Sequence, residues 1–210
     1  MNILAIECSQ AQASLCLMKQ GEIQTPIKWE TARNHDSYLF PGLESALNDL
    51  GEDSLDVILV GAGPGSYGGV RVAIAAASGI SMVKGCKLAA IDSWAALARG
   101  SKLIISDAKR GGWTLRQLNG SIEVKSLEEM LQLQSEGSPF STIESQATLQ
   151  AHGLKAQEYN LLPTAQDLIE TWMSMSPEQQ EECCQQPASP IYVRPPHITK
   201  AKRKPWECKQ

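Results

Sequence analysis

The sequence contains no long hydrophobic run. No stretch of about 18 apolar residues, the length that crosses a bilayer, occurs in the chain. Its first residues, MNILAIECSQ, also lack the basic stretch, apolar core and cleavage site of a secretory signal. With 42% hydrophobic residues the chain can still bury a substantial core. We therefore expect a soluble, cytoplasmic globular protein with no membrane contact.

Residues that bind metals are scarce and scattered. His35, His152 and His197 lie far apart, whereas a helical metal-binding pair needs a spacing of three or four residues. The cysteines show no CxxC spacing and no nearby histidine pair. They are Cys8, Cys16, Cys86, Cys183, Cys184 and Cys208. We expect reduced thiols and no metal site, and no Ser, His and Asp arrangement typical of a hydrolase stands out.

A strong excess of one charge is also missing. The formal net charge is −4, which gives no general attraction to nucleic acid. A basic run near the C-terminus contains Lys200, Lys202, Arg203 and Lys204. This run is open to two interpretations, because such a segment either contacts RNA phosphates or is simply solvated.

The first half of the sequence predicts alternating strands and helices. Short apolar runs bounded by polar turns predict strands at residues 3–7, 13–18, 22–30, 56–62 and 87–91. The first three should be antiparallel neighbours, and the fourth is apolar enough to be central. Apolar residues at helical spacing predict a helix over 35–50, with Pro41 as an alternative start. The alanine-rich segment 70–84 predicts a second helix with room for a close neighbour.

A second β pattern begins near residue 100. The segments KLIISDA and GGWTLRQLNGSIEV predict strands broken by glycines, and a capping box at Ser126 and Glu129 starts a helix. PTAQDLIETWMSM predicts another helix, and the chain from Ser176 onward is expected to be irregular. We therefore expect an N-terminal lobe over residues 1–99, a smaller C-terminal lobe over 100–195 and a flexible basic tail over 196–210.

A glycine-rich loop, GAGPGSYGGVR, joins the fourth predicted strand to the second helix. Gly63, Gly65 and Gly68 formally match the GxGxxG fingerprint of dinucleotide-binding proteins. That fingerprint normally follows the first strand of its fold, and Pro64 removes one backbone donor. A Walker A loop is excluded because no lysine follows the last two glycines. A sharp turn with a close chain approach, or an anion contact at the helix start, remain open interpretations.

Several motifs together resemble one protein family. ILAIECS, the Arg33-x-His35 pair before LFPGLESALNDLG, DVILVGAGPGSYGGVR, KLAAIDSWAALA and IISDAKRGG are similar to segments of the bacterial TsaB (YeaZ) proteins. PTAQDLIETWMS and PIYVR resemble that family's later helix and closing segment. The resemblance is dense over residues 1–112 and thinner over 162–194.

The resemblance implies an α/β fold of the actin-like, sugar-kinase-like (ASKHA) type, with two similar α/β lobes and mixed sheets. It also implies a non-catalytic scaffold subunit that pairs with TsaD, on which the ATPase TsaE docks. TsaD transfers threonylcarbamoyl to N6 of the adenosine 3′ of the anticodon in tRNAs that read A-starting codons, so this chain would meet tRNA indirectly. ATP or ADP is expected at the interface with TsaD and TsaE, with no cofactor of the chain's own. The alternatives are a stand-alone ASKHA-type nucleotide-binding protein or weak ATPase, and an interaction protein of another complex.

Two positions depart from the family pattern. Glu7 stands where the family usually has Asp, and Gly68 stands where Thr is usual. One extra methylene moves the carboxylate by about an ångström, which catalysis seldom tolerates. We therefore interpret Glu7 as a vestigial phosphate-site acid. The loop residues expected beside any bound nucleotide are Gly63, Gly65, Ser66, Gly69 and Arg71.

The two helices of the first lobe are expected to form the surface that packs on TsaD. The candidate contacts are Tyr38, Leu39, Leu43, Leu47, Ala73, Ala76, Ala77 and Ile80. The alternative is that these residues face only the lobe's own sheet, as a single apolar stripe often does. Without TsaD, the same surface is expected to pair with itself.

Overall fold

The computed structural model describes residues 1–30, 36–98 and 103–193, except for the side chain of Asp36. Arg33, His35, the expected lobe boundary and the basic tail therefore lie outside the described residues. The division into lobes at that boundary stays a prediction.

The first sheet contains six strands, whose bounds are β1 Ile3–Glu7, β2 Gln12–Lys19, β3 Glu22–Ile23, β4 Ile27–Glu30, β5 Val57–Gly61 and β6 Lys87–Ile91. The order is β3-β2-β1-β5-β6, with β4 also paired to β2. β1 and β2 are antiparallel, whereas β1, β5 and β6 run parallel. The sheet is therefore mixed, and the predicted central position of β5, which is buried along its whole length, is confirmed.

The predicted single strand over 22–30 is wrong, because the structure divides it into β3 and β4. Both pieces pair with β2, and the Gln24 amide still donates to the Leu17 carbonyl oxygen at 2.8 Å. The ladder breaks next to Pro26, which has no amide hydrogen to donate.

Helices cover both faces of this sheet. On one face lie α1, Asp36–Leu50, and α2, Tyr67–Lys84, whose buried side chains share a core with β1, β2 and β5. On the other face lies α6, Ala165–Ser174, through Ala165, Leu168, Ile169 and Trp172. α1 begins close to the predicted start at residue 35 and before the alternative start at Pro41, whereas α2 begins earlier than the predicted Val70.

The second sheet contains β7 Leu103–Asp107, β8 Gly112–Arg116, β9 Ile122–Ser126 and β10 Phe140–Thr142, in the order β10-β7-β8-β9. It is also mixed, since β10 and β7 are parallel and the other pairs antiparallel. α4, Leu127–Ser135, starts at the predicted capping box, and α5 spans Gln146–Gln150. α3, Ser93–Ala98, connects the two sheets because its Trp94 and Ala98 pack with Ile104 of β7.

The expected irregular segment after Ser176 is wrong in part, because it contains α7, Pro177–Gln185. Ser176 and Gln179 form its capping box and Pro177 occupies its first turn. None of its residues is fully buried, so no apolar periodicity revealed it. Among the helices of the described residues, none is long and apolar enough to cross a membrane.

Candidate functional site

Glu7 fixes the glycine loop to the first sheet. It ends β1 and is fully buried. Its carboxylate accepts hydrogen bonds from the Ser9 amide and the Ser93 hydroxyl, both at 2.6 Å. Ser93 in turn accepts from the Gly63 amide at 3.1 Å, and its own amide donates to the Gly63 carbonyl oxygen at 2.9 Å. Both oxygens of Glu7 are therefore used to join β1, the loop and the start of α3.

Burial is the main influence on the pKa of this carboxyl. Desolvation raises the pKa of Glu7 above its ordinary value, while hydrogen bonds from Ser9 and Ser93 pull the pKa the other way. The first effect is the larger. The nearby Cys8 thiol is buried too, and desolvation raises its pKa as well. This part of the site is a closed hydrogen-bonded network.

The loop needs glycine at two points for steric reasons. Gly63 has φ of +87°, and the following peptide bond to Pro64 is cis. A Cβ at Gly65 would collide with the carbonyl oxygen of Ser9. That same oxygen accepts the Ser66 amide at 2.7 Å. The structure thus supports the interpretation of a sharp turn with a close chain approach.

The amides of the loop are largely engaged by the protein itself. Gly63 donates to Ser93 and Ser66 donates to Ser9. Ser66 caps α2, because its hydroxyl accepts the Gly69 amide at 3.2 Å and its carbonyl accepts the Val70 amide at 3.0 Å. The amides of Gly63, Ser66, Gly69 and Val70 are therefore used within the protein. Whether nucleotide lies beside this loop stays a prediction.

A segment from the end of the described chain reaches the loop. The Ile191 amide donates to the Ala62 carbonyl oxygen at 2.9 Å. Tyr192 stacks on Tyr67, the first residue of α2, with ring centroids 5.5 Å apart. The Arg71 guanidinium lies 4.9 Å from the centre of the Tyr67 ring and donates to the Tyr67 hydroxyl at 2.8 Å. Sequence reasoning missed this arrangement because its two tyrosines are far apart in the chain.

A cleft opens between the loop and the second sheet. Its volume is about 290 Å³, and Gly65, Tyr67, Trp94 and Tyr192 line one side. The other side includes Ser106, Asp107 and Lys109 of β7 and its turn, and Thr114 of β8. Burial raises the pKa of Asp107, but hydrogen bonds from Lys109 outweigh this effect, and the pKa lies below its ordinary value. The cleft therefore holds a carboxylate paired with an ammonium group at 2.8 Å.

An ion pair also joins the two sheets. The Arg116 Nε on β8 donates to Asp92 Oδ2 at 2.7 Å, and both side chains are mostly buried. Asp92 Oδ1 accepts the Trp94 amide at 2.8 Å, which satisfies the start of α3. Asp92 follows β6, where a ribose-binding acid would be sought, but here it has a structural role.

The predicted partner-contact residues divide into two groups. Leu39, Leu43, Ala73 and Ala77 are buried in the core against their own sheet, although Leu43 also reaches the floor of a groove between α1 and α2. Tyr38 is exposed, and Leu47, Ala76 and Ile80 are half-buried. The assignment of these residues to a partner interface stays a prediction.

The outer sides of α1 and α2 form an apolar surface around a groove of about 390 Å³. Leu47 on one helix and Ala76 and Ile80 on the other line the groove, and the exposed Phe40 lies at its edge. The exposed residues Gly79, Met82 and Val83 extend this face along α2. We call these seven residues the α1–α2 surface. Phe40, Met82 and Val83 were not among the residues expected from the sequence.

No group of three or more His, Cys, Asp or Glu residues that could hold a metal ion occurs among the described residues. His152 lies in the second sheet's layer, where it packs edge-on against Trp113 with ring centroids 5.4 Å apart. Cys8 and Cys16 are buried free thiols, and Cys86, Cys183 and Cys184 are half-buried free thiols.

The two mixed sheets, with a loop that turns sharply between β5 and α2, make this an α/β protein with the fold class that the family resemblance implied. A Pseudomonas aeruginosa structure, described as an uncharacterized protein with similarity to peptidase YEAZ, shares this fold at a TM-score of 0.69. It has 22% identity, and the match covers 92% of this chain and 99% of that one.

Sequence comparisons lead to a particular family. A family described as "TsaD: tRNA N6-adenosine threonylcarbamoyltransferase" matches residues 28–112. The tRNA threonylcarbamoyladenosine biosynthesis protein TsaB of Buchnera aphidicola is 35% identical over 82 residues, 38% of this chain and 37% of that protein. TsaB of Bacillus subtilis is 31% identical over 119 residues, which are 53% of this chain and 52% of the relative. These matches, which span about half of each relative or less, support the TsaB (YeaZ) family for this chain.

Proposed function

We propose that this chain is a non-catalytic subunit of the cytoplasmic machinery that makes threonylcarbamoyladenosine in tRNA. In this role it binds TsaD and holds it in the form that transfers threonylcarbamoyl, while TsaE docks on the pair. The relatives named as biosynthesis proteins for this modification support the pathway. The surface of the first lobe supports the binding role.

The observation that carries the proposal is the α1–α2 surface. A chain folded by itself seldom leaves a contiguous apolar face of this kind unless the face serves an interaction. Here Met82 and Val83, further along α2, are almost fully exposed. Gly79 has no atom within 4 Å of the position a Cβ would take, so a partner helix can approach the α2 backbone closely there.

The state of Glu7 supports the non-catalytic part of the proposal. In an actin-like ATPase the acid at the end of the first strand faces the phosphates. In this chain both oxygens of Glu7 accept internal hydrogen bonds and the side chain is fully buried. An acid held in this way orders the loop and does not activate water.

The test is reconstitution of threonylcarbamoyl transfer to tRNA with cognate TsaD, TsaE and the threonylcarbamoyl-adenylate synthase, with and without this chain. We expect transfer to depend strictly on the chain, and the chain alone to hydrolyse no ATP. Transfer that proceeds equally well without it would contradict the proposal. ATP turnover by the isolated chain would instead favour a stand-alone ATPase.

A matched pair of variants tests the surface. Phe40→Glu places a charge at the groove, whereas Leu118→Glu places the same charge in the β8–β9 turn; the wild-type side chains are 52% and 59% exposed. Because charging a desolvated contact costs several kcal/mol, we expect Phe40→Glu to weaken TsaD binding by about 100-fold or more. Leu118→Glu should bind as the wild type does. Equal affinity of the two variants would remove the α1–α2 surface from the proposal.

A further inference from the structure

The stacked pair Tyr67 and Tyr192 is an exposed aromatic surface in a fixed position. The two side chains are 51% and 47% exposed. Arg71 holds the Tyr67 ring through its hydroxyl, and the bond from Ile191 to Ala62 holds the segment that carries Tyr192. Rings fixed in this way add little to the core, yet they present flat apolar area at low entropic cost. We call Tyr67, Arg71 and Tyr192 the tyrosine shelf.

The cleft beside the tyrosine shelf offers hydrogen-bonding groups. Ser106, Lys109 and Thr114 line it, and so does Trp94, which is only 2% exposed. The indole nitrogen of Trp94 is itself buried, as are those of two other tryptophans, so the donors that line the cleft are the Lys109 ammonium and the Thr114 hydroxyl. A ligand that brings acceptor oxygens or ring nitrogens would suit these two groups.

Cationic side chains lie beside the cleft, and the sequence adds more after the described chain ends. Arg71 belongs to the tyrosine shelf, and Lys109 lines the cleft, where it is paired with Asp107. The sequence then continues from Val193 directly into Arg194, and residues 194–210 carry six Lys or Arg and one Glu. The rest of the chain is therefore acidic, since the whole has a net charge of −4. Flat aromatic area together with cations suits a polyanion whose bases are free to stack.

We propose that the tyrosine shelf and its cleft bind an unpaired segment of RNA, with one base stacked on Tyr192 and its edge or phosphate facing the donors of the cleft. Unpaired RNA is the ligand that combines stackable bases, acceptor atoms and regular negative charge. The inference that the site binds an unpaired strand rests on the geometry of the site. The choice of RNA over DNA rests on the proposed function. Direct RNA contact by this chain goes beyond the indirect contact that the family resemblance implies.

The experiment measures binding of the full-length chain alone to fluorescein-labelled RNA by fluorescence anisotropy at moderate salt. The probes are a short single-stranded RNA of mixed sequence, a blunt duplex of the same sequence, and AMP as an unlabelled competitor. We expect the single strand to bind, Tyr192→Ala to weaken that binding about tenfold, and Tyr192→Phe to retain it, because stacking needs the ring alone. Lys109→Gln should lower the slope of log affinity against log salt by about one.

Controls separate stacking from charge and from unfolding. Leu118→Ala removes an equally exposed apolar side chain elsewhere and should bind RNA as the wild type does. Replacing Lys200, Lys202, Arg203 and Lys204 with Gln should weaken binding to single strand and duplex alike. Thermal unfolding of each variant checks that Tyr192→Ala remains folded. If it does not, Tyr192→Phe is the test, and loss of single-strand binding in that variant would contradict stacking on the ring.

Three outcomes would overturn the proposal. They are unchanged single-strand affinity in Tyr192→Ala, an equal loss for the duplex, and displacement of the RNA by AMP at concentrations typical of a dedicated nucleotide site. The last result would mean that the cleft takes a free nucleotide. TsaD is absent from the assay, so a negative result here leaves the reconstitution test, and the proposed function, intact.

Discussion

Glu7 shows how one buried carboxyl can organise a loop without doing chemistry. Its two oxygens connect Ser9 at the end of the first strand to Ser93 at the start of α3, and Ser93 holds Gly63. The sequence placed Glu7 at the right position, at the end of the first strand. It could not reveal which neighbours would use its oxygens, because Ser93 lies 86 residues away.

Replacing Glu7 tests the electrostatic cost of this arrangement. A carboxyl whose pKa is raised in the folded state stabilises the fold fully below its ordinary pKa of 4.5 and loses that contribution as pH rises above it. Glu7→Gln does not ionise. We therefore expect the free energy of unfolding of Glu7→Gln to increase relative to wild type between pH 5 and pH 8, as measured by urea unfolding.

Glu7→Ala serves as the control for the hydrogen bonds. It leaves the Ser9 amide and the Ser93 hydroxyl without their acceptor, which should cost about 2 kcal/mol or more at both pH values. A constant difference between wild type and Glu7→Gln across this pH range would show that the ionisation of Glu7 is not coupled to folding.

At the scale of elements, the sequence predicted what depends on local pattern. Most of the strands and α4 were predicted, because apolar runs and capping residues mark them. The break between β3 and β4, the helix α7 and the early start of α2 were missed. β3 and α7 have no buried residues, so little in the local sequence marks them. The tyrosine shelf was missed because it depends on tertiary contacts alone.

Alanine should change stability in opposite directions at Gly65, in the loop before α2, and at Gly79, within α2. At Gly65 an added Cβ would meet backbone at Ser9, which cannot move away easily, and we expect a loss of about 2 kcal/mol or more. At Gly79, inside the helix, the same Cβ enters open space, and alanine should add about 0.5–1 kcal/mol. Thermal and urea unfolding measure both, and a stabilised Gly65→Ala would contradict the close approach.

At the scale of the whole molecule, a small number of contacts hold the two sheets in one arrangement. Arg116 on the second sheet pairs with Asp92 beside the first, and Trp94 packs against Ile104. α6 follows the second sheet in sequence but packs on the first, with its Ala165 amide donating to Ser14 Oγ at 2.8 Å. These contacts fix the cleft and the tyrosine shelf relative to the α1–α2 surface. The two sites have different lining residues, so RNA and a protein partner would bind at different places.

The α1–α2 surface predicts the oligomeric state of the isolated chain. An exposed apolar face without its partner tends to pair with a second copy, through a two-fold arrangement in which the same residues meet. We expect sedimentation velocity to show a dimer that dissociates on dilution. Phe40→Glu should be monomeric, because two-fold symmetry places each introduced charge close to its copy.

Leu118→Glu adds the same charge away from this surface and should remain dimeric at the same concentration. TsaD is expected to use the same surface, so adding it should convert the homodimer into a heterodimer. No complex that contains two copies of this chain should then remain. A complex that contains both contacts at once would place the homodimer contact on another part of the molecule. The α1–α2 surface would then serve TsaD alone.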